Sequence, residues 1–153
     1  MLTGPPEALL DSNVLVAAVI GEHQGHASSV AVLVGARPSE LAVAAHSYAE
    51  AFNTLTRSGK GGPYRLPPGQ AWTVLETIAV RTRLVGLTPE QTLDAVRRYA
   101  AGGGVRPRLY DHLIGRAAEL AGARAIVTWN AGHLRSLFPA MAVETPEERL
   151  ARA

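Results

Sequence analysis

Short apolar runs alternate with segments of helical period along the whole chain. Ala8–Leu10 reads as a first strand, closed by Asp11. A helical stretch follows Ser12-Asn13, and another runs from about His26 to Gly35. Leu41–Ala45 predicts a second strand, with helices after it over about Ser47–Arg57 and Pro68–Ala79. Arg83–Val85 predicts a short third strand. Thr88-Pro89-Glu90-Gln91 then opens a helix with a cap, a proline at the first helical position and a capping-box Gln. Pro107 opens a further helix, which Gly122 closes. Ala125–Thr128 is a strong strand signal, followed by a short helix after Asn130 and a last strand at Met141–Val143. Strands separated by helices pair in parallel. The pattern therefore predicts a single α/β domain over residues 1–153, three layers deep, with a mainly parallel sheet of four to five strands.

A chain of 153 residues can bury a core without disulfides or a structural metal. Hydrophobic residues make up 47% and charged residues 18%, which places the chain among globular rather than disordered sequences. There is no cysteine, which excludes disulfides, cysteine–zinc sites and thiol catalysis and fits a reducing cytoplasm. The opening MLTGPPEALL lacks a basic region and a long apolar stretch, so it does not read as a secretory signal. No apolar run reaches the length of a membrane span. Net charge is +2, and of the 15 basic residues only Lys60 is lysine. Arginine suits bidentate phosphate contacts, but in a chain this rich in Ala, Gly and Pro the bias fits a GC-rich genome equally well. Gly59–Gly62 and Gly102–Gly104 read as loops, and Gly59-Lys60-Gly61-Gly62 lacks the pattern and context of a phosphate-binding loop.

In open parallel sheets, ligands bind beyond the carboxyl ends of the strands. Asp11 ends the first strand, and Glu50 lies in the first predicted turn after the second. Asn130 follows Ala125–Thr128, and Asp111 lies in the first turn of the helix before that strand. Four oxygen-bearing side chains are thus expected at one edge. Tyr48, Phe52 and Leu55 form an apolar helix face that excludes Glu50, leaving it on the side of Thr54 and Arg57. Leu109, Leu113, Ala117 and Leu120 are the expected core face of the later helix. That leaves Asp111 beside Gly115 and Ala118, small residues that would let another element or a ligand come close. Clustered carboxylates repel unless a cation holds them together. Hard oxygen donors without His or Cys suit Mg²⁺ or Mn²⁺, ions that act on phosphate esters.

Each of these residues also has a purely structural reading. Asp11 can cap the helix after it, and Ser47-Tyr48-Ala49-Glu50 matches a capping box. Asp111 favours a helix dipole, and Asn130 is a good N-cap. Only the combination, in this order, outweighs those readings. His23, His26, His46, His112 and His133 are scattered, and the His23–His26 pair reads as surface rather than metal site. Trp72 and Trp129 read as core or partner contacts, since 5% aromatic residues is thin for a base-stacking platform.

The segment LLDSNVLVA at 9–17, the helix SYAEAFNTLTR at 47–57, Tyr110-Asp111 and IVTWNAGHL at 126–134 together resemble PIN-domain proteins. The resemblance is to the VapC-type toxins of bacterial toxin–antitoxin pairs in particular, and it covers nearly the whole chain. Each motif is unspecific alone; their order and strand–helix context are specific. The resemblance implies a parallel sheet flanked by helices and a Mg²⁺- or Mn²⁺-dependent endoribonuclease acting on tRNA, rRNA or mRNA. It also implies a homodimer held in check by a small antitoxin. Asp11, Glu50 and Asp111 match the family's three acidic positions. Asn130 falls where many members carry a fourth acid, which removes one charge and argues against a strict two-metal mechanism. Thr128 falls where the family often has Ser or Thr near the metal.

On this reading Asp11 and Asp111 bind the ion directly. Glu50 binds it directly or through water and orients the attacking water, and Asn130 contacts a water or a phosphate oxygen. The products are a 5′-phosphate and a 3′-hydroxyl. Arg57 is a candidate phosphate contact from its helical face, with an ion pair to Glu50 or plain solvation as the equal alternative. Other readings are a structure-specific DNA nuclease on the same fold, for whose basic clamps this short chain leaves little room, and a non-catalytic PIN module that binds RNA or a protein partner, which Asn130 keeps open. An aspartyl-phosphate phosphohydrolase wants a second acid two residues after the nucleophile, where Asn13 stands. A receiver-like domain wants a pair of adjacent acids early in the chain, and there is none.

Overall fold

Three strands, β1 (Ala8–Leu10), β2 (Leu41–Ala44) and β4 (Ala125–Val127), are buried at every position. That is what a parallel sheet covered on both faces requires. The computed structural model describes residues 4–57, 64–104 and 108–152. Among these, β3 (Arg83–Val85) and β5 (Ala142–Glu144) complete a five-stranded sheet in the order β3-β2-β1-β4-β5, with every pairing parallel. The helices are α1 (Ser12–Val19), α2 (His26–Gly35), α3 (Ala45–Thr56), α4 (Pro68–Ala79), α5 (Pro89–Ala101), α6 (Leu109–Ala121), α7 (Ala131–Leu137) and α8 (Pro146–Ala151). None is long and apolar enough to cross a membrane.

Alternation along the strands divides the interior into two cores. Ala8, Leu10, Leu41, Val43, Ala125 and Val127 pack with Leu15, Val32, Leu55 and Leu75 from α1–α4. Leu9, Ala44, Ile126 and Val143 pack with Ile114, Ala117, Ala118 and Leu134 from α6 and α7. Leu10 pairs with Val43 on one side and Val127 on the other, so β1 and β4 end level and β2 runs one residue further, to Ala44. That pairing brings the residues after these strands together.

The predicted elements are present, with informative departures. Thr88 and Gln91 form the expected capping box at α5, and Gly122 closes α6 in the left-handed conformation at φ 71°. Pro107 and Gly59–Gly62 lie outside the described residues. The helix expected from Ser47 begins earlier, at Ala45, so Ser47 is a buried first-turn residue and forms no capping box with Glu50. Glu50 accordingly sits in the second turn, not the first. On α6 the expected core face is rotated: Ile114, Gly115, Ala117 and Ala118 are buried, while Leu120 is 46% exposed. A longer apolar side chain on a helix predicts burial less well than the shape of the facing element. Here that element is Phe138, whose ring lies where a Cβ on Gly115 would come within 2.0 Å. The room beside Asp111 is therefore filled by protein.

The pattern reading missed α8, a six-residue turn too short for an apolar period. A Thr145–Glu148 capping box starts it, and Arg149 and Arg152 tie it to the buried Glu144 carboxylate at 2.8–2.9 Å. Trp129 is a core contact: its ring covers Gly25, and its Nε1 donates to Ser29 Oγ at 3.1 Å. Trp72 is half exposed.

Candidate functional site

The strand order reverses direction at β1, which has β2 on one side and β4 on the other. The crevice beyond the carboxyl ends at such a switch point is the usual ligand site of open α/β sheets. Asp11 follows β1 directly and Thr128 follows β4 directly, and the Asp11 N–H donates to the Val127 carbonyl at 3.0 Å. Asp11 is only 5% exposed. Its Oδ1 accepts from the Ser12 N–H at 2.7 Å, so it does cap α1. Its Oδ2 accepts from the Thr128 hydroxyl at 2.8 Å. The capping bond and the bond from Thr128 thus fall on different oxygens.

The Thr128 hydroxyl has a defined direction. Its oxygen accepts from Asn13 Nδ2 at 3.1 Å and from the Asn130 N–H at 3.0 Å. With both lone pairs engaged, its one proton goes to Asp11. Asn13 Oδ1 also accepts from the Trp129 N–H at 3.1 Å, clamping the β4–α7 turn to the start of α1. Asn130 occupies the N-cap position of α7, but its side chain makes no capping bond, contrary to its structural reading.

Glu50 and Asp111 complete the acidic group. Burial pushes the Glu50 carboxyl up to about 7, and the charges of Asp11 and Asp111 push in the same direction. Burial and then the Asp11 charge raise Asp111, partly offset by His133 and Arg108. Burial also raises Asp11, opposed chiefly by the Thr128 hydrogen bond. The structure therefore brings the three acids into one electrostatic field. Glu50 Oε1 is buried without a hydrogen-bond partner. Mutually repelling carboxylates and an orphaned carboxylate oxygen fit a hard divalent cation. Among the described residues no three acidic or His side chains are already closed around an ion-sized gap. The Glu50 and Asp111 side chains are 36% and 20% exposed.

Three residues here were not picked out from sequence. His46 Nε2 lies 3.8 Å from Glu50 Oε1, and His133 Nδ1 lies 3.6 Å from Asp111 Oδ2. Asn13 is the third. The available signal for His46 was its spacing of four from Glu50 on one helix. The other histidines have local roles: His23 Nδ1 accepts from the Gly25 N–H, His26 Nδ1 meets the Ala17 carbonyl, and His112 packs between Tyr99 and Phe138. Arg57 is exposed at the far end of α3.

The PIN domain family model matches residues 8–135. No curated protein matches the chain. Among solved structures, VapC20 of Mycobacterium tuberculosis, a sarcin–ricin loop cleaving toxin, superposes with a TM-score of 0.66 at 12% identity, covering 84% of this chain and 94% of its own. VapBC2 from Rickettsia felis, bound to a DNA fragment from its promoter, gives 0.62 at 17% identity, with 90% and 97% covered. A toxin–antitoxin complex from Klebsiella pneumoniae gives 0.61 at 16% identity, with 91% and 97% covered. At these identities the similarity is one of fold.

Proposed function

The chain belongs to the PIN domain family, and from that premise we propose that it is a Mg²⁺- or Mn²⁺-dependent endoribonuclease, the toxin of a type II toxin–antitoxin pair. The observation that carries this reading is the gathering of Asp11, Glu50 and Asp111 at the switch point, where burial first and then the charges of Asp11 and Asp111 hold Glu50 at about 7. A bound divalent ion lowers the pKa of water and offsets charge developing on a phosphate. Asp11 and Asp111 would hold that ion, with Glu50 reaching it directly or through water. Beside the ion the Glu50 carboxylate would be held ionised, able to accept a hydrogen bond from the attacking water and orient it. The Asn130 side chain, not engaged in capping, would contact a phosphate oxygen. Attack of water on phosphorus breaks the P–O3′ bond and leaves a 5′-phosphate and a 3′-hydroxyl. With Asn130 in place of a fourth acid, the charge in the crevice suits one ion better than two.

The RNA substrate would be a tRNA, rRNA or mRNA, which implies a cytoplasmic setting. A small antitoxin and a second copy of the chain are the proposed partners. The toxin–antitoxin complexes among the structures of like fold support the first of these. That no three acidic or His side chains among the described residues already close around an ion favours one second reading, a PIN module that binds RNA or protein without cutting. Incubation of the protein with a tRNA and rRNA pool, with Mg²⁺ or Mn²⁺ and with EDTA, beside Asp11→Ala, separates the two. Metal-dependent fragments that vanish in the variant support the nuclease. Cleavage that survives EDTA or the substitution sinks it, and metal binding without cleavage favours the binding module.

A further inference from the structure

The early start of α3 has a chemical consequence. With the helix beginning at Ala45, His46 lies inside its first turn and Glu50 one turn later on the same face. A helix beginning at Ser47 would leave His46 outside this register. The two side chains meet: His46 Nε2 and Glu50 Oε1 are 3.8 Å apart, each atom buried and each without a hydrogen-bond partner. Two such atoms facing each other beyond hydrogen-bond reach each carry an unmet desolvation cost. The gap is within the span of two donors sharing one ion, since nitrogen and oxygen ligands stand about 2.0–2.2 Å from a small divalent metal. Asp11 lies close enough for its charge to act on the imidazole. His46 and Glu50 thus offer one nitrogen and one oxygen donor from a single helix within the field of Asp11, a mixed set that would have to draw together to hold an ion.

We propose that His46 is a nitrogen ligand of the divalent ion and shifts the site's selectivity toward Mn²⁺ over Mg²⁺. This rests on the metal-dependent reading above. Mg²⁺ keeps oxygen donors and dehydrates reluctantly, whereas an imidazole adds affinity for first-row transition ions. His46 thereby turns an all-oxygen site into one that discriminates between the two ions.

The test uses the full chain freed of metal. Calorimetric titration with MnCl₂ and MgCl₂ measures the ratio of affinities, and pulsed electron paramagnetic resonance of the Mn²⁺-loaded protein reads nitrogen coupling at the ion. His46→Gln exchanges nitrogen for an amide oxygen at similar size, His46→Ala removes the donor, and melting curves check that both fold. The expected result is nitrogen coupling in the native chain and its loss in both variants. In His46→Gln the Mn²⁺/Mg²⁺ ratio falls by about tenfold or more, with Mg²⁺ affinity nearly unchanged. A native ratio in a folded His46→Gln, or no nitrogen coupling in the native chain, overturns the inference alone, provided Asp11→Asn abolishes binding. Absence of any ion binding by the native chain overturns it together with the reading it rests on.

Discussion

The Thr128 hydroxyl donates a 2.8 Å hydrogen bond to Asp11 Oδ2 across 117 positions of sequence. This bond joins the ends of two adjacent parallel strands at the point where the sheet order reverses. It also opposes the effect of burial on the most buried acid of the crevice.

Thr128→Val keeps the shape of the side chain and removes the hydroxyl. Asp11 Oδ2, Asn13 Nδ2 and the Asn130 N–H each lose a partner. The expected loss of stability is about 1–3 kcal/mol, and metal affinity falls by about 10–100-fold. Thr128→Ser retains both. Urea denaturation and calorimetry of the two variants make the check, and equal damage in Thr128→Ser would assign the effect to the methyl group.

The raised carboxyls make stability depend on pH. Glu50 has a folded value of about 7 against an ordinary 4.5, and Asp11 and Asp111 are raised as well. The folded chain holds protons that the unfolded chain has released, so the metal-free protein loses stability as pH rises through this window. His46, held low by burial, acts in the opposite sense as pH falls below 6.5. Glu50→Gln removes the Glu50 contribution. Its Tm should exceed the native value above about pH 7 and converge with it near 4.5. A Tm series with pH tests this, and a variant less stable at the alkaline end would refute the sign. Saturating Mn²⁺ should flatten the native slope, because the ion competes with those protons.

Asn130→Asp supplies the missing fourth acid. Added negative charge in the crevice should lower the metal-free Tm at neutral pH and tighten ion binding about tenfold, since affinity follows ligand charge. Calorimetric stoichiometry shows whether a second ion also enters. Unchanged affinity would mean that residue 130 does not face the ion.

Gly115→Ala probes the packing beneath Asp111. The new Cβ would meet the Phe138 ring at 2.0 Å, and that ring is itself buried. Overpacking of this kind costs about 1–3 kcal/mol. Chemical denaturation should show that loss with metal affinity preserved. Lost affinity at native stability would show that Gly115 admits a ligand.

Most elements and the order of the acids were readable along the chain. Buried parallel strands are unbroken apolar runs, and the Thr88 cap and the Gly122 stop act within one turn, so both are local and readable. Asp11 was legible for the same reason, as a lone charge ending such a run. What lay beyond reach depended on contacts between distant segments. The face of α6 was decided by Phe138, the first turn of α3 by where β2 ends, and α8 by the Glu144 carboxylate that holds its arginines. The roles of Asn13 and His46 were hidden likewise. Asn13 acts on Thr128 and Trp129 across the sheet, and the setting of His46 becomes visible only when β1 and β2 pair side by side and bring the start of its helix near Asp11. Hydrogen bonding and burial at that edge follow from strand register, which depends on pairing between segments far apart in the chain.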